Sequence, residues 1–290
     1  MAVKTFNIVS VSAVLAIFLL FTTLWNLQAR PEYFSDGSTH HYSQENGTNA
    51  TLEGGLPSPS PVVIEKPEPT ETRPSWREVA FKYGTDKVTV HHYQYMYEKY
   101  LQPIRDRPLK MLEIGLGCNM GYGPGHSYHT WLEFFPNVDM YYIEYDAACV
   151  EKWAANITDA KVFTGDQADT TFLHEFMAQS GGGFDIIVDD GGHTMQQQIV
   201  SLNTLFDIVL PGGIYFCEDL ATSYDPSFGA VPGEKTMMQM ISELLHDLNK
   251  NLGGAPPMTN AVSRDMRSIE CGEEICAFFK KELEITELRG

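Results

Sequence analysis

Two stretches place ionisable side chains directly after apolar runs. FDIIVDDGGHTM (184–195) ends in Asp189, Asp190 and His193, and YFCEDL (215–220) ends in Glu218 and Asp219. Carboxylates of this kind are hard oxygen donors, so Asp190, Glu218 and Asp219 could converge on a divalent cation, with magnesium the candidate. His193, three residues after Asp190, could then take a proton from a hydroxyl held on that cation. The metal would lower the hydroxyl's pKa, and histidine titrates near neutral pH. The plainer alternative has Asp190 capping the following helix and the other acids solvated. A cap, however, needs one acid rather than three acids and a histidine.

Upstream lie three further signals. EIGLGCNMG (113–121) sets Glu113, Gly115, Gly117 and Gly121 at a strand-to-helix turn, where glycine lets a backbone approach a ligand closely. YIEYD then offers Glu144 or Asp146 to a ribose, and TGDQAD offers Asp166 to an adenine amino group. The dinucleotide fingerprint fits poorly, because Glu113 would repel a pyrophosphate. A carboxylate suits a ligand with a cationic amino-acid end, such as S-adenosylmethionine. Before these, FKYGTDK reads as a polar loop carrying Tyr83, Thr85, Asp86 and Lys87, with the tyrosines after it as a lid. His91 and His92 are adjacent and cannot share one helical face, so they read as lid or core residues rather than a metal pair.

The elements that must position these groups alternate. LKMLEIGL, VDMYYIEYD, AKVFTGD, FDIIVDD and PGGIYFCEDL read as strands. HTWLEFF, AACVEKWAANI, TTFLHEFMAQ, the run from Met195 through Ile199, Leu202 and Leu205 to Val209, and EKTMMQMISELLHDLNKNL read as helices. MRSIECGEEICAFFKK reads as a closing hairpin, placing one antiparallel strand near the sheet edge. The expectation is a mostly parallel α/β sheet covered on both faces, with its site beyond the carboxyl ends of the strands.

The chain has 290 residues, of which 43% are hydrophobic, enough for a sizeable core. A net charge of −18 argues against a general nucleic-acid binder. Residues 6–25 carry no charge and are long enough to cross the ~30 Å hydrocarbon core, so 1–30 reads as an uncleaved signal-anchor rather than a cleaved signal peptide. Lys4 and the acids after Arg30 favour a cytosolic amino terminus, hence a single-pass type II protein with its body in the lumen of the ER or Golgi. Asn-x-Ser/Thr triplets at Asn46, Asn49 and Asn156 agree with a glycoprotein there. Residues 31–75, rich in Pro, Ser, Thr and Glu, read as an extended stem, and 76–290 as the folded domain. Five cysteines cannot all pair within one chain. Cys271 and Cys276 could be bridged or could both be reduced.

KYGTDK…HHY, LEIGLG, FPNVDMYYIEYD, GDQAD, DDGGH and CEDL together resemble the S-adenosylmethionine- and metal-dependent sugar O-methyltransferases of macrolide biosynthesis, over roughly residues 78–285. The insert CNMGYGPGHSYHTW and YFCEDL are most similar to uncharacterised fungal proteins of this group. The resemblance implies a Rossmann-like class I methyltransferase fold. It implies magnesium at Asp190, Glu218 and Asp219, and His193 as the base. Glu113, Gly115, Gly117, Glu144, Asp166 and Asp189 would bind S-adenosylmethionine, with Tyr83 and Thr85 of YGTDK closing over it. The acceptor would be a hydroxyl of a small molecule or glycan. Two other readings stand beside it: an iron-dependent hydroxylase, which needs a second histidine near DDGGH, and a membrane-tethered module that binds without catalysis.

Overall fold

The computed structural model describes residues 73–250 and 260–283. The anchor, the stem up to 72, Asn46 and Asn49 lie outside the described residues. Among the described residues no helix is long and apolar enough to cross a membrane. The expected span at 6–25 falls outside those residues; the single-pass ER or Golgi placement built on it is corrected to the plain statement that no described helix spans a membrane.

Seven strands form one sheet: β1 (Leu109–Ile114), β2 (Val138–Glu144), β3 (Ala160–Thr164), β4 (Phe184–Asp189), β5 (Val209–Cys217), β6 (Met266–Cys271) and β7 (Cys276–Lys280). Their order is β3-β2-β1-β4-β5-β7-β6. The first five are parallel, and β7 runs antiparallel between β5 and β6. The register brings Ile114 beside Asp189, and Asp189 beside Cys217. The next residues, Gly115, Asp190 and Glu218, therefore leave the sheet in one row.

The helix expected to run to Val209 stops at Leu205. A short 3-10 turn follows, and Val209 opens β5. Pro211 biases Leu210 away from helical backbone, which overrides the apolar spacing.

Successive strand residues point to opposite faces. On one face, Leu112, Ile114, Ile187, Tyr215 and Phe278 pack against α6 (Thr170–Ser180), α7 (Met195–Leu205) and α8 (Met237–Asn249). On the other, Met111, Tyr142, Val188, Phe216 and Ala277 meet α1 (Trp76–Tyr83), α3 (Gln94–Leu101) and α4 (His126–Phe134). Of the tyrosines expected as a lid, Tyr93 and Tyr97 belong to this second layer, Tyr100 packs against it, and Tyr95 is exposed. Tyr93 and Tyr97 are buried, and Tyr97 packs against Trp76, Trp131 and Phe216. Ser75, just before the expected domain start, makes a capping box with Glu78 and fixes where α1 begins.

The alternation has an electrostatic consequence. Glu113 falls on the same face as Met111, and Glu218 on the same face as Phe216, under the amino-terminal helices. Lys87, in the short α2 (Asp86–Thr89), meets them there. Its Nζ lies 2.6 Å from Glu218 Oε2, 2.5 Å from Asp190 Oδ2 and 3.5 Å from Glu113 Oε1, with the lysine 1% exposed. The residue read as part of a polar loop is thus a buried ammonium that fastens the first helices to the strand ends.

Two disulfides are present: Cys118–Cys149, joining the loop after β1 to α5 (Ala147–Trp153), and Cys271–Cys276, closing the β6–β7 turn. Cys217 is free and buried.

Lys87→Met should lower the unfolding free energy by about 3–5 kcal/mol, the cost of stranding buried charge, and adding Glu218→Gln should recover part of it. Urea unfolding of the three proteins measures this. Replacing Cys118 and Cys149 by serine frees a loop of 31 residues and should cost about 3–4 kcal/mol in the same assay.

Candidate active site

Beyond the carboxyl ends of β1, β2 and β4 lies a cavity of about 360 Å³, within the range of small-ligand sites (~300–1,000 Å³). Gly115 and Gly117 form one wall, Glu144 and Gln167 a second, and Asp190 and His193 a third; Thr85 and Asp219 complete the rim. Gly115 has φ +97°, and a Cβ there would lie 2.1 Å from the Asp190 carbonyl oxygen. Only glycine allows the β1 turn to pass so close to the β4 turn. At Gly191 a Cβ would meet Gln167 Oε1 at 1.8 Å, so a larger residue there would displace the Gln167 side chain.

Gln167 was not singled out from the sequence, and it ties three segments together. Its Nε2 donates to Asp189 Oδ1 (2.8 Å) and Ser201 Oγ (3.0 Å), and its Oε1 accepts from Gly192 N. Glu144 accepts from Leu116 N through Oε2 (2.8 Å) and from Asp146 N through Oε1 (2.9 Å). Its carboxylate therefore stands fixed at the cavity wall, where a ribose acid was expected.

At the other end of the cavity, one ligand atom from each of Asp190, His193 and Asp219 falls within 4.8 Å of the others. His193 Nε2 is 3.3 Å from Asp219 Oδ2, while its Nδ1 is buried with no hydrogen-bond partner among the described residues. His91 reaches the opposite oxygen of Asp219: its Nε2 is 3.5 Å from Oδ1. This second histidine was read from sequence as lid or core. The two rings address different oxygens of Asp219.

The third expected metal ligand, Glu218, is 1% exposed; Lys87 Nζ donates to one of its oxygens and Tyr97 OH to the other. Burial and the charge of Asp190 push the Glu218 carboxyl well above the usual range, against the pull of Lys87. Burial alone would lower the Lys87 ammonium, but the charges of Asp190, Glu218 and Glu113 win and hold it well above its usual value. Three carboxylates thus gather at one ammonium, and Asp219 adds a fourth next to Asp190. That excess of negative oxygen donors fits a divalent cation on the Asp190–Asp219 side, with Glu218 joining only where its present bonds yield.

The remaining expected residues divide. Thr85, Gly115, Gly117 and Glu144 line the cavity. Glu113 does not: it is fully buried, accepting from Tyr142 OH (2.5 Å) and Ser127 Oγ (2.8 Å) beside Lys87. Asp189 points to the opposite face of the sheet from Asp190, bonded to Gln167 and Tyr215, and burial raises its pKa to about 6. Asp166 is not among the lining residues and caps Ala168 N instead. Tyr83 turns away, donating to Glu133 and stacking on His129. For these four, period-two alternation and a local hydrogen bond outweigh nearness in sequence.

No protein-family model matches the chain. It is 33% identical over 159 residues to an 8-demethyl-8-alpha-L-rhamnosyl tetracenomycin-C 2'-O-methyltransferase from Streptomyces olivaceus, covering 53% of this chain and 40% of that protein. It is also 33% identical over 162 residues to a mycinamicin VI 2''-O-methyltransferase from Micromonospora griseorubida, covering 54% and 39%. Among solved structures it is similar to the MycE methyltransferase of the mycinamycin biosynthetic pathway, in complex with Mg, SAH and mycinamycin VI. There the TM-score is 0.63 and the identity 28%, over 73% of this chain and 54% of that one. The chain thus spans about half or less of the length of the relatives it matches. These relatives are bacterial; they lend no support to the narrower likeness to fungal, membrane-anchored proteins, and they too count against an ER or Golgi placement. The domain has the Rossmann-like α/β fold of these methyltransferases, mostly parallel, with one antiparallel strand next to its edge.

Proposed function

We propose that this domain is an S-adenosylmethionine-dependent O-methyltransferase acting on a hydroxyl of a sugar or glycosylated, polyhydroxylated metabolite. The observation that carries the reading is one cavity with a fixed carboxylate, Glu144, at one end and the Asp190–His193–Asp219 cluster at the other. The activities named for the tetracenomycin and mycinamicin relatives support the substrate class. The Mg and SAH in the similar MycE structure support the two cofactors.

S-adenosylmethionine, when bound, would supply an electrophilic methyl carbon. Gly115 and Gly117 would let the backbone approach it, and Glu144, already oriented by two backbone N–H groups, would accept from ribose hydroxyls. Thr85 would complete the wall from the amino-terminal segment. Magnesium, when bound, would supply positive charge that makes an acceptor hydroxyl more acidic. Asp190 and Asp219 would hold it, with Glu218 behind them. His193, oriented by Asp219, would take the hydroxyl proton on its imidazole. Holding acceptor and methyl donor in one cavity would contribute through proximity.

Calorimetry of the full chain with S-adenosylhomocysteine and with magnesium tests this. Both should bind, Asp219→Asn should weaken magnesium and spare S-adenosylhomocysteine, and Glu144→Gln should do the reverse. In an acceptor screen built on rhamnosylated polyketides, His193→Ala should lower kcat by about 10²–10⁴-fold with little change in cofactor affinity. A folded sample that binds neither ligand would sink the methyltransferase reading and leave a binding module.

A further inference from the structure

Three residues other than glycine have positive φ among the described residues: His193 (57°), Asp219 (55°) and Glu274 (61°). Such backbone is unfavourable for side chains with a Cβ and persists where its surroundings hold it. All three meet around one carboxylate. His193 approaches Asp219 Oδ2, and His91 approaches Asp219 Oδ1. Behind His91 stands Glu274, whose Oε2 lies 2.8 Å from His91 Nδ1.

This second row is built rather than casual. The His91 ring stacks on Tyr93, with centroids 4.8 Å apart and planes at 12°. Tyr93 OH donates to Asp219 Oδ1 (3.0 Å) and accepts from Asp219 N (3.1 Å), so ring and carboxylate are set by the same tyrosine. Glu274 sits in the turn closed by Cys271–Cys276, and its carbonyl accepts from Leu220 N, next to Asp219. The β6–β7 turn is thereby tied to the segment that carries Asp219.

We infer that His91, held by Glu274, is a positioning residue that fixes the Asp219 carboxylate for a divalent cation. This rests on the proposed function above. A histidine set against a ligating carboxylate by one ring nitrogen, with its other nitrogen held by a second carboxylate, limits the orientations open to the ligand without touching the cation. The two histidines then divide the work: His193 faces the cavity, and His91 holds Asp219 from behind.

The test uses the full chain and Mn²⁺ as a spectroscopically visible probe, read by electron paramagnetic resonance. His91→Phe keeps the stack on Tyr93 and removes both polar contacts. It should weaken Mn²⁺ binding about 10–100-fold, the range for lost outer partners of a metal ligand. S-adenosylhomocysteine affinity should change by less than about twofold, since no cavity wall is lost. His91→Gln, which keeps a donor, should recover part of the loss. Glu274→Gln, on an exposed turn, should shift affinity the same way and decides alone should His91→Phe fail to fold. Folded variants with wild-type Mn²⁺ affinity would overturn this inference and leave the proposed function standing. A folded wild-type chain that binds no Mn²⁺ would overturn this inference together with the metal part of the proposed function, and only one that also fails to bind S-adenosylhomocysteine would sink the methyltransferase reading.

Discussion

One buried ammonium governs how this domain is assembled. Parallel strands deliver Glu113, Asp190 and Glu218 to one face, with Glu113 two residues before the row of the other two. Without a cation, three carboxylates so close together would repel one another in a medium that screens poorly. Lys87 supplies that cation from a segment 103 residues before Asp190 and 131 before Glu218. A single contact therefore does two things: it makes the acidic strand ends tolerable, and it commits the amino-terminal helices to cover that face.

Which acid faces the ligand then follows from strand geometry. Asp189 and Asp190 are neighbours in sequence, yet the pleat sends Asp189 into the layer of α6 and α7, where Gln167 and Tyr215 satisfy it. Asp190 leaves the strand toward the cavity. Gln167 links the two outcomes, since it bonds Asp189 on one side and the Gly192 backbone on the other. The DDGGH turn is thus held from within the core while its histidine stays at the cavity rim.

The α/β class, the strand order's antiparallel member and the row of acids at the strand ends were all legible in the sequence, because they rest on local periodicity and on glycine turns. Gly115, Gly117 and Glu144, which flank turns, and Thr85, which only the resemblance pointed to, all line the cavity. Glu113, Asp166, Asp189 and Tyr83, expected to bind the cofactor, do not line the cavity, because motif position does not reveal which way a side chain points. Lys87 and His91 could not be assigned either. Their partners Asp190, Glu218, Asp219 and Glu274 lie more than a hundred residues away, and a lysine in a polar-looking loop carries no local mark of burial. The Cys118–Cys149 bridge spans only 31 residues but also needed the fold, since it joins the loop after β1 to the helix after β2.

Asp219 is where the two halves of the structure come together. It is reached from the amino-terminal segment by His91 and Tyr93, from the β4 turn by His193, and through Leu220 N by the β6–β7 turn. Its left-handed backbone costs energy that an isolated strand end would not bear. Four contacts from three separate segments can bear it, because each segment is anchored elsewhere: the first by Lys87, the second by Gln167 and the third by a disulfide. A carboxylate held this firmly loses little further freedom when it meets a ligand, which is the physical sense in which the acidic end of the cavity is preorganised.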